Sequence, residues 1–251
     1  MREEEEEGVA RWWAGYFDER FLQIYRALLP DEEAEEEVGA AVAALGLDPP
    51  ARVLDLACGW GRHAIPLARL GFEVTGLDLS EVLLREARAA AEVARVDVGW
   101  VRGDMRSPPL AGGFDAVLSL FSSLGYGDSD DDDLAVLRAV RRLLRPGGQL
   151  LLETMHRDLV AREFVERDWW PGPDGEAVMV EREFDPVRGV SREWLRWGAV
   201  EKHHTIRVRA ASEWSGLLEQ AGLTADAWYG GWELEPFSVR SERLLVVASP
   251  R

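Results

Sequence analysis

Apolar residues recur at helical spacing near the start of the chain, at Trp13, Phe17, Phe21, Ile24, Tyr25 and Leu28. They predict a helix from Arg11 to Leu29, stopped by Pro30. A second helix is predicted from Asp31 to Leu45, with acids in its first turns, where the helix dipole favours them, and Gly46 behind it. From Arg52 the period changes. Short apolar runs predict buried strands at Arg52–Ala57, Phe72–Asp78, Asp97–Arg102, Phe114–Leu120 and Gln149–Glu153. Helices fall between them: Gly61–Leu70, a helix capped by Ser80 that reaches Ala94, and Asp130–Leu144 behind Ser129. Strands alternating with helices predict an α/β fold with a parallel sheet covered on both faces.

After Asp158 the pattern alternates with a period of two, as in Val178–Arg182 and Thr205–Arg209. Asp185-Pro186 and Arg188-Gly189 are turn signals between these stretches. This predicts an antiparallel β insertion over residues 159–210. A helix at Ser212–Ala221 and strands at Leu223–Tyr229 and Arg243–Ala248 complete the chain. The expected organisation is thus 1–50 helical, 51–158 the α/β core, 159–210 the insertion and 211–251 the completion of the sheet.

Charge and composition narrow the chemistry. The formal charge of −17, from 29 basic and 46 acidic residues, repels phosphate backbones and disfavours general nucleic-acid binding. No run of about 18 apolar residues exists to span a membrane. The start, Met1-Arg2 followed by Glu3 to Glu7, lacks the apolar stretch of a secretory signal and reads as a solvated tail. Cys58 is the single cysteine, so no internal disulfide forms; a cytoplasmic protein is expected. His203 and His204 are adjacent and face opposite sides of a strand, and no zinc or EF-hand spacing occurs, so no metal is expected. The tryptophan-rich stretch from Trp169 onward suits an apolar pocket, an interface or ordinary core.

The densest motif is Val53-Leu54-Asp55-Leu56-Ala57-Cys58-Gly59-Trp60-Gly61-Arg62-His63. A buried strand delivers a carboxylate and then turns through two glycines into a helix. Glycine lets backbone pass close to a ligand, and a helix start offers free N–H groups. Further along stand Gly76-Leu77-Asp78-Leu79-Ser80, Gly103-Asp104-Met105, Ser119-Leu120-Phe121 and Leu143-Leu144-Arg145-Pro146-Gly147-Gly148.

In this order, from Ala51 to Thr154, the chain resembles class I S-adenosylmethionine (SAM)-dependent methyltransferases. The resemblance implies a three-layer Rossmann-like fold, a seven-stranded sheet of order 3-2-1-4-5-7-6 with strand seven antiparallel, and the β insertion after strand five. It implies that Ala57, Cys58, Gly59 and Gly61 pass under the methionine part of SAM and that Asp55 lies near its amino end. Asp78 and Leu79 would serve the ribose, Asp104 and Met105 the adenine, and Leu120 and Phe121 would cover the cofactor. Tyr16, in Tyr16-Phe17-Asp18-Glu19, would belong to an N-terminal lid. The implied reaction is in-line displacement of the SAM methyl by a nucleophile of a small-molecule acceptor, leaving S-adenosylhomocysteine. His156 and Tyr126 are the candidates for acceptor contact or general base; helix capping and loop packing are the other roles open to them. The insertion would serve the acceptor or a homodimer interface.

Two other readings stay open at this point. Gly59, Gly61 and Ala64 fit G-x-G-x-x-A, with Asp78 near the ribose position, as in NAD-dependent oxidoreductases. However, an acid ahead of the glycines does nothing for a pyrophosphate, whereas it suits a ligand with an ammonium and a sulfonium. A non-enzymatic SAM-binding regulatory scaffold is the third reading.

Overall fold

Asp18 divides the first predicted helix in two. The computed structural model describes residues 12–251, so the Glu3–Glu7 tail lies outside the described residues. Helix α1 covers Trp13–Tyr16 and α2 covers Glu19–Tyr25, followed by a 3-10 turn at Arg26–Leu28. The Asp18 carboxylate accepts from the amides of Arg20 and Phe21 and so caps α2. Apolar spacing hides this break because Phe17 and Phe21 stay four residues apart across it. The third helix, α3, covers Asp31–Leu45 as predicted and ends at Gly46 with φ of 58°.

The strand–helix series follows. It runs β1 (Arg52–Leu56), α4 (Ala64–Arg69), β2 (Glu73–Asp78), α5 (Glu81–Ala94), β3 (Gly99–Arg102), β4 (Phe114–Ser119), α6 (Asp130–Leu143) and β5 (Leu144–Thr154). Ser80 caps α5 as expected, its Oγ accepting from the Leu83 amide. Ser129 stands at the head of α6 but makes no side-chain cap bond. Four aspartates in the first turn of α6 meet the dipole instead. Next come α7 (Arg157–Arg162), β6 (Arg167–Pro171), β7 (Ala177–Asp185), β8 (Val190–Trp197), β9 (Val200–Arg207), α8 (Ala211–Ala221), β10 (Leu223–Tyr229) and β11 (Leu244–Pro250). The apolar pattern did not anticipate α7 and β6, because α7 buries no residue and β6 is an exposed edge strand.

The seven-stranded sheet has the order β10-β11-β5-β4-β1-β2-β3. Strands β1 to β5 are parallel, and β11 runs antiparallel between β5 and β10. Numbered along the chain without the insertion, this is the 3-2-1-4-5-7-6 order. Successive residues of each central strand serve opposite faces. Val53, Ala116, Leu118, Leu151 and Val247 join the core beneath α3 and α4. Leu54, Val117, Leu150, Leu152 and Val246 join the core beneath α6 and α8. Because both faces are covered, the central strands carry apolar residues at successive positions, as in Val53-Leu54, Ala116-Val117-Leu118 and Leu244 to Ala248. The carboxyl edge of such a sheet is where α/β folds bind ligands.

Strands β6 to β9 form a separate four-stranded antiparallel sheet. Its Val178, Val180, Leu195 and Trp197 pack on Ile24 of α2. Ion pairs on β9 and just after it tie it down. Buried Arg209 meets buried Asp133 at 2.6 Å, and Lys202 meets Asp18 at 2.8 Å. Of the predicted N-terminal segment, only α1 and α2 lie against this insertion; α3 belongs to the helical layer of the sheet.

Trp214 of α8 is fully buried in the α6–α8 core. Trp214→Ala leaves a large void there and is expected to cost about 3–5 kcal/mol. Urea denaturation checks this, and a loss under 1 kcal/mol, of the order of a surface substitution, would refute the packing described.

Candidate active site

The carboxyl ends of β1, β2 and β4, with the turn after β3, surround a cavity that opens to solvent. Helices α1 and α2 roof it through Trp13, Ala14, Phe17 and Phe21. Asp55, Ala57, Cys58 and Gly59 line it from the first loop; Asp78 and Leu79 from the second strand end; Asp104 and Met105 from the third; Leu120, Phe121 and Tyr126 from the fourth. Residues spread over seventy positions of sequence are thus brought to one place by parallel strands that all point the same way.

Asp55 is buried and its Oδ2 has no hydrogen-bond partner among the described residues. Burial pushes it up to about 6, and the charge of nearby Asp78 adds to this; His63 and the Ala64 amide pull the other way. Asp78 is anchored differently. Its Oδ2 accepts from the Gly59 amide and its Oδ1 from the Ser80 amide, both at 2.8 Å. Burial raises it too, against those amide bonds. The Cys58 thiol is pushed up by burial and stays protonated, so it is no nucleophile.

The two glycines do different jobs. Gly59 sits at φ of 55°, and an added Cβ would meet nothing closer than Leu83 at 3.9 Å. Its role is the left-handed turn itself. Gly61, at φ of 83°, does not line the cavity. A Cβ there would lie 2.8 Å from the Trp100 ring and 3.2 Å from Ile65, so this glycine admits packing of α4 on the sheet rather than a ligand.

Three supporting groups escaped the sequence. Arg106 lines the rim, grips both oxygens of Asp104, reaches Asp132 at 2.9 Å and lies over the Trp13 ring. Glu37 of α3 holds Arg62 and His63, all three buried, and so braces the glycine loop from behind. Glu153, buried at the end of β5, accepts from the Phe121 amide at 2.5 Å and from Arg243 at 2.8 Å. This bond holds Phe121 and Ser122 in their left-handed conformations. Glu37 lies in an acid-rich helix and Arg106 in a loop, where neither stands out from solvated neighbours.

Tyr16 stands outside the cavity wall. Around α1, Trp13 and the residue after the helix, Phe17, face the cavity, while Trp12 and Tyr16 pack on His204 of the insertion. The Tyr16 hydroxyl meets that of Tyr25 at 3.2 Å, and its ring packs on His204. His156 is also remote from the cavity. It is fully buried, with Nε2 at 2.9 Å from the Ser241 carbonyl and Nδ1 capping α7 at the Leu159 amide. Both ring nitrogens are committed to backbone, so this histidine is a cap and not a base. Tyr126 does line the cavity, edge-on to Trp12. Burial holds its phenol well above the ordinary tyrosine range, which makes it a proton-bearing donor at neutral pH.

Comparison with known proteins agrees with this geometry. Residues 53–148 match the model of a methyltransferase domain. Over 216 residues the chain is 31% identical to the Bacillus subtilis protein named "Putative methyltransferase YqeM", spanning 78% of this chain and 83% of that one. It belongs to the class I SAM-dependent methyltransferase family. This enzyme is also 29% identical over 220 residues to the ubiquinone biosynthesis O-methyltransferase of Dinoroseobacter shibae, covering 86% of this chain and 78% of that one. Among solved folds, a SAM-dependent methyltransferase from Clostridium acetobutylicum superposes with a TM-score of 0.77 at 17% identity, over 92% and 96% of the two chains. The methyltransferase therefore uses SAM, and the nicotinamide and scaffold readings fall away. None of its described helices is long and apolar enough to cross a membrane.

The displaced titration of Asp55 has a consequence for the ligand-free enzyme. A carboxyl raised from 3.8 to about 6 by folding destabilises the native state above that range, and the penalty is relieved as pH falls toward 4. Asp55→Asn removes the buried charge and is expected to raise stability at pH 7.5, by at most about 3 kcal/mol. Chemical denaturation of both forms checks it; a less stable variant at pH 7.5 would show that the carboxylate is well accommodated.

Proposed function

We propose that this methyltransferase acts on a small-molecule acceptor entering between α1–α2 and the β6–β9 insertion, and that it works by alignment rather than by a dedicated base. Bound SAM supplies a methyl on a sulfonium, already an activated leaving group. The observation that carries the site assignment is the buried, unpartnered Oδ2 of Asp55, which suits the ammonium of the methionine moiety. Around it, the backbone of Ala57 to Gly59 turns with positive φ and leaves its surface open to a ligand. Asp78, fixed by the Gly59 and Ser80 amides, keeps lone pairs for ribose hydroxyls. Met105 offers an apolar face to adenine, and Asp104, oriented by Arg106, an acceptor for its amino group. Leu120 and Phe121 close the other side and help exclude water. Alignment of this kind is a large part of catalysis when the leaving group needs no help. In this reading Tyr16 acts through its packing in the roof and not by touching SAM.

The insertion has a second proposed role. Trp169 and Met179 are cross-strand partners, and both are more than half exposed. They suit a homodimer face, which sedimentation of wild type and Trp169→Glu reads directly. A cytoplasmic location fits the single buried thiol.

Two binding measurements test the cofactor site. SAM affinity is expected to be flat above pH 7 and to fall below about pH 6, approaching tenfold per unit, because a protonated Asp55 no longer pairs with an ammonium. Calorimetry that finds constant affinity from pH 5 to 8 removes Asp55 from the site. Asp78→Ala is expected to weaken SAM by about 1.5–3 kcal/mol, the scale of charged hydrogen bonds, while the fold persists by circular dichroism. Unchanged affinity would sink the ribose assignment.

A further inference from the structure

A second cavity adjoins the first, and its chemistry is opposite to that of the molecule as a whole. Tyr126 and Gly127 line both. Trp12, edge-on to Tyr126 with ring centres 5.0 Å apart, stands on the same side. The far wall is the β8–β9 hairpin. Its register pairs Arg192 with Thr205 and Val190 with Arg207, and the period of two places these four on one face. Arg188 closes the cavity from the turn before β8. Three guanidinium groups therefore line a space in which Asp128 is the one lining acid. In a chain of net charge −17, such a local reversal of sign is a feature of the site and not of the composition.

The arginines are only partly engaged by the protein, through long or electrostatic contacts with Asp130 and Asp185. Arg192 is half-buried, and its guanidinium makes no side-chain hydrogen bond and no close ion pair among the described residues, although its charge helps hold the Asp185 carboxyl down. Arg207 donates Nη2 to the Asp128 carbonyl at 2.7 Å, and its buried Nε makes no hydrogen bond among the described residues, with only a long 3.8 Å ion pair to Asp130. Arg188 stands 3.9 Å from Asp185, at the limit of an ion pair. Trp12 Nε1 is a further buried donor without a partner among the described residues. Buried donors left unpaired are costly, and natural proteins keep few of them unless a ligand completes the set. Planar guanidinium groups match carboxylates and phosphates, which accept two parallel bonds.

We propose that this arginine cavity holds an anionic group of the methyl acceptor, a carboxylate or a phosphate. The nucleophilic end of the acceptor then extends past Tyr126 and Gly127 into the cofactor cavity. The direction of approach rests on the reading that the acceptor enters from the insertion side. The neutral phenol of Tyr126 stands at the boundary, where it repels neither an anion nor the nucleophile. The insertion thus does for the acceptor what the sheet edge does for SAM: it supplies a fixed set of donors before the ligand arrives.

The experiment titrates the full-length enzyme, saturated with S-adenosylhomocysteine, with phenyl phosphate, benzoate and neutral benzyl alcohol. At least one of the two anions is expected to bind at least tenfold more tightly than the alcohol, more weakly as salt is raised, and comparison of the two identifies the preferred anion. Arg192 is the residue to change, because its loss strands no side-chain hydrogen bond and leaves Asp185 its backbone bonds and Arg188. R192A should weaken anion binding at least tenfold and leave S-adenosylhomocysteine affinity within twofold of wild type. R192K should recover part of it, since the charge returns without the fork. Anions that bind no better than benzyl alcohol, or unaltered in R192A, overturn the proposal while the cofactor reading stands. Failure of S-adenosylhomocysteine itself to bind would overturn the cofactor reading, and the same anion titration without it would still judge the arginine cavity.

Discussion

The carboxylate of Asp78 ends β2 with its two oxygens taken by backbone amides of two different turns. One turn is the glycine loop after β1, reached through Gly59. The other starts α5 at Ser80, whose hydroxyl donates in turn to the Phe17 carbonyl in the roof. A single strand-end side chain thereby links the floor of the cavity, the neighbouring helix and the lid. Charge-assisted bonds to amides are strong where water is scarce, and Asp78 is buried. The loop is consequently shaped before any ligand binds, which is what a site that works by alignment requires.

Asp55 stands a few residues away in the opposite condition. It is as deeply buried but only partly satisfied, and its carboxyl is held up near 6. The two aspartates divide the labour: one holds the architecture, the other stores an unmet demand for a cation. Such stored cost is common at functional sites, where surrounding structure over-determines an unfavourable group. Here the surround includes the Glu37–Arg62–His63 cluster, which ties the loop to α3.

The insertion adds a second layer of specificity to the α/β core. Strand β9 is fastened by a half-exposed pair of Lys202 with Asp18, and the segment just after it by the buried pair of Arg209 with Asp133, both acids on core or roof elements. Breaking the buried Arg209–Asp133 pair is expensive, so the end of the insertion keeps a defined position over the sheet edge. That position brings the β8–β9 arginines to the border of the cofactor cavity. A strongly acidic protein thus presents a positive recess at the one place where its acceptor is proposed to enter.

Much of this was legible in the chain. Val53-Leu54, Ala116 to Leu118 and Leu150 to Leu152 are adjacent apolar positions that fit a doubly covered strand, and the acids and glycines that follow β1 and β2 mark the carboxyl edge. Those signals are local: each depends on a strand, the turn after it and the residue types there. The sequence therefore determined the α/β alternation and the positions of Asp55, Asp78, Asp104 and the glycine loop. The tertiary structure alone decided which way side chains of α1 point, so Phe17 and Trp13 face the cavity while Tyr16 does not. It also decided that Gly61 makes room for Trp100, that His156 is consumed by backbone bonds, and that Arg188, Arg192 and Arg207 meet beside Tyr126. These outcomes depend on contacts between segments far apart in the chain, and residue type and spacing carry no record of which distant surface a side chain will meet.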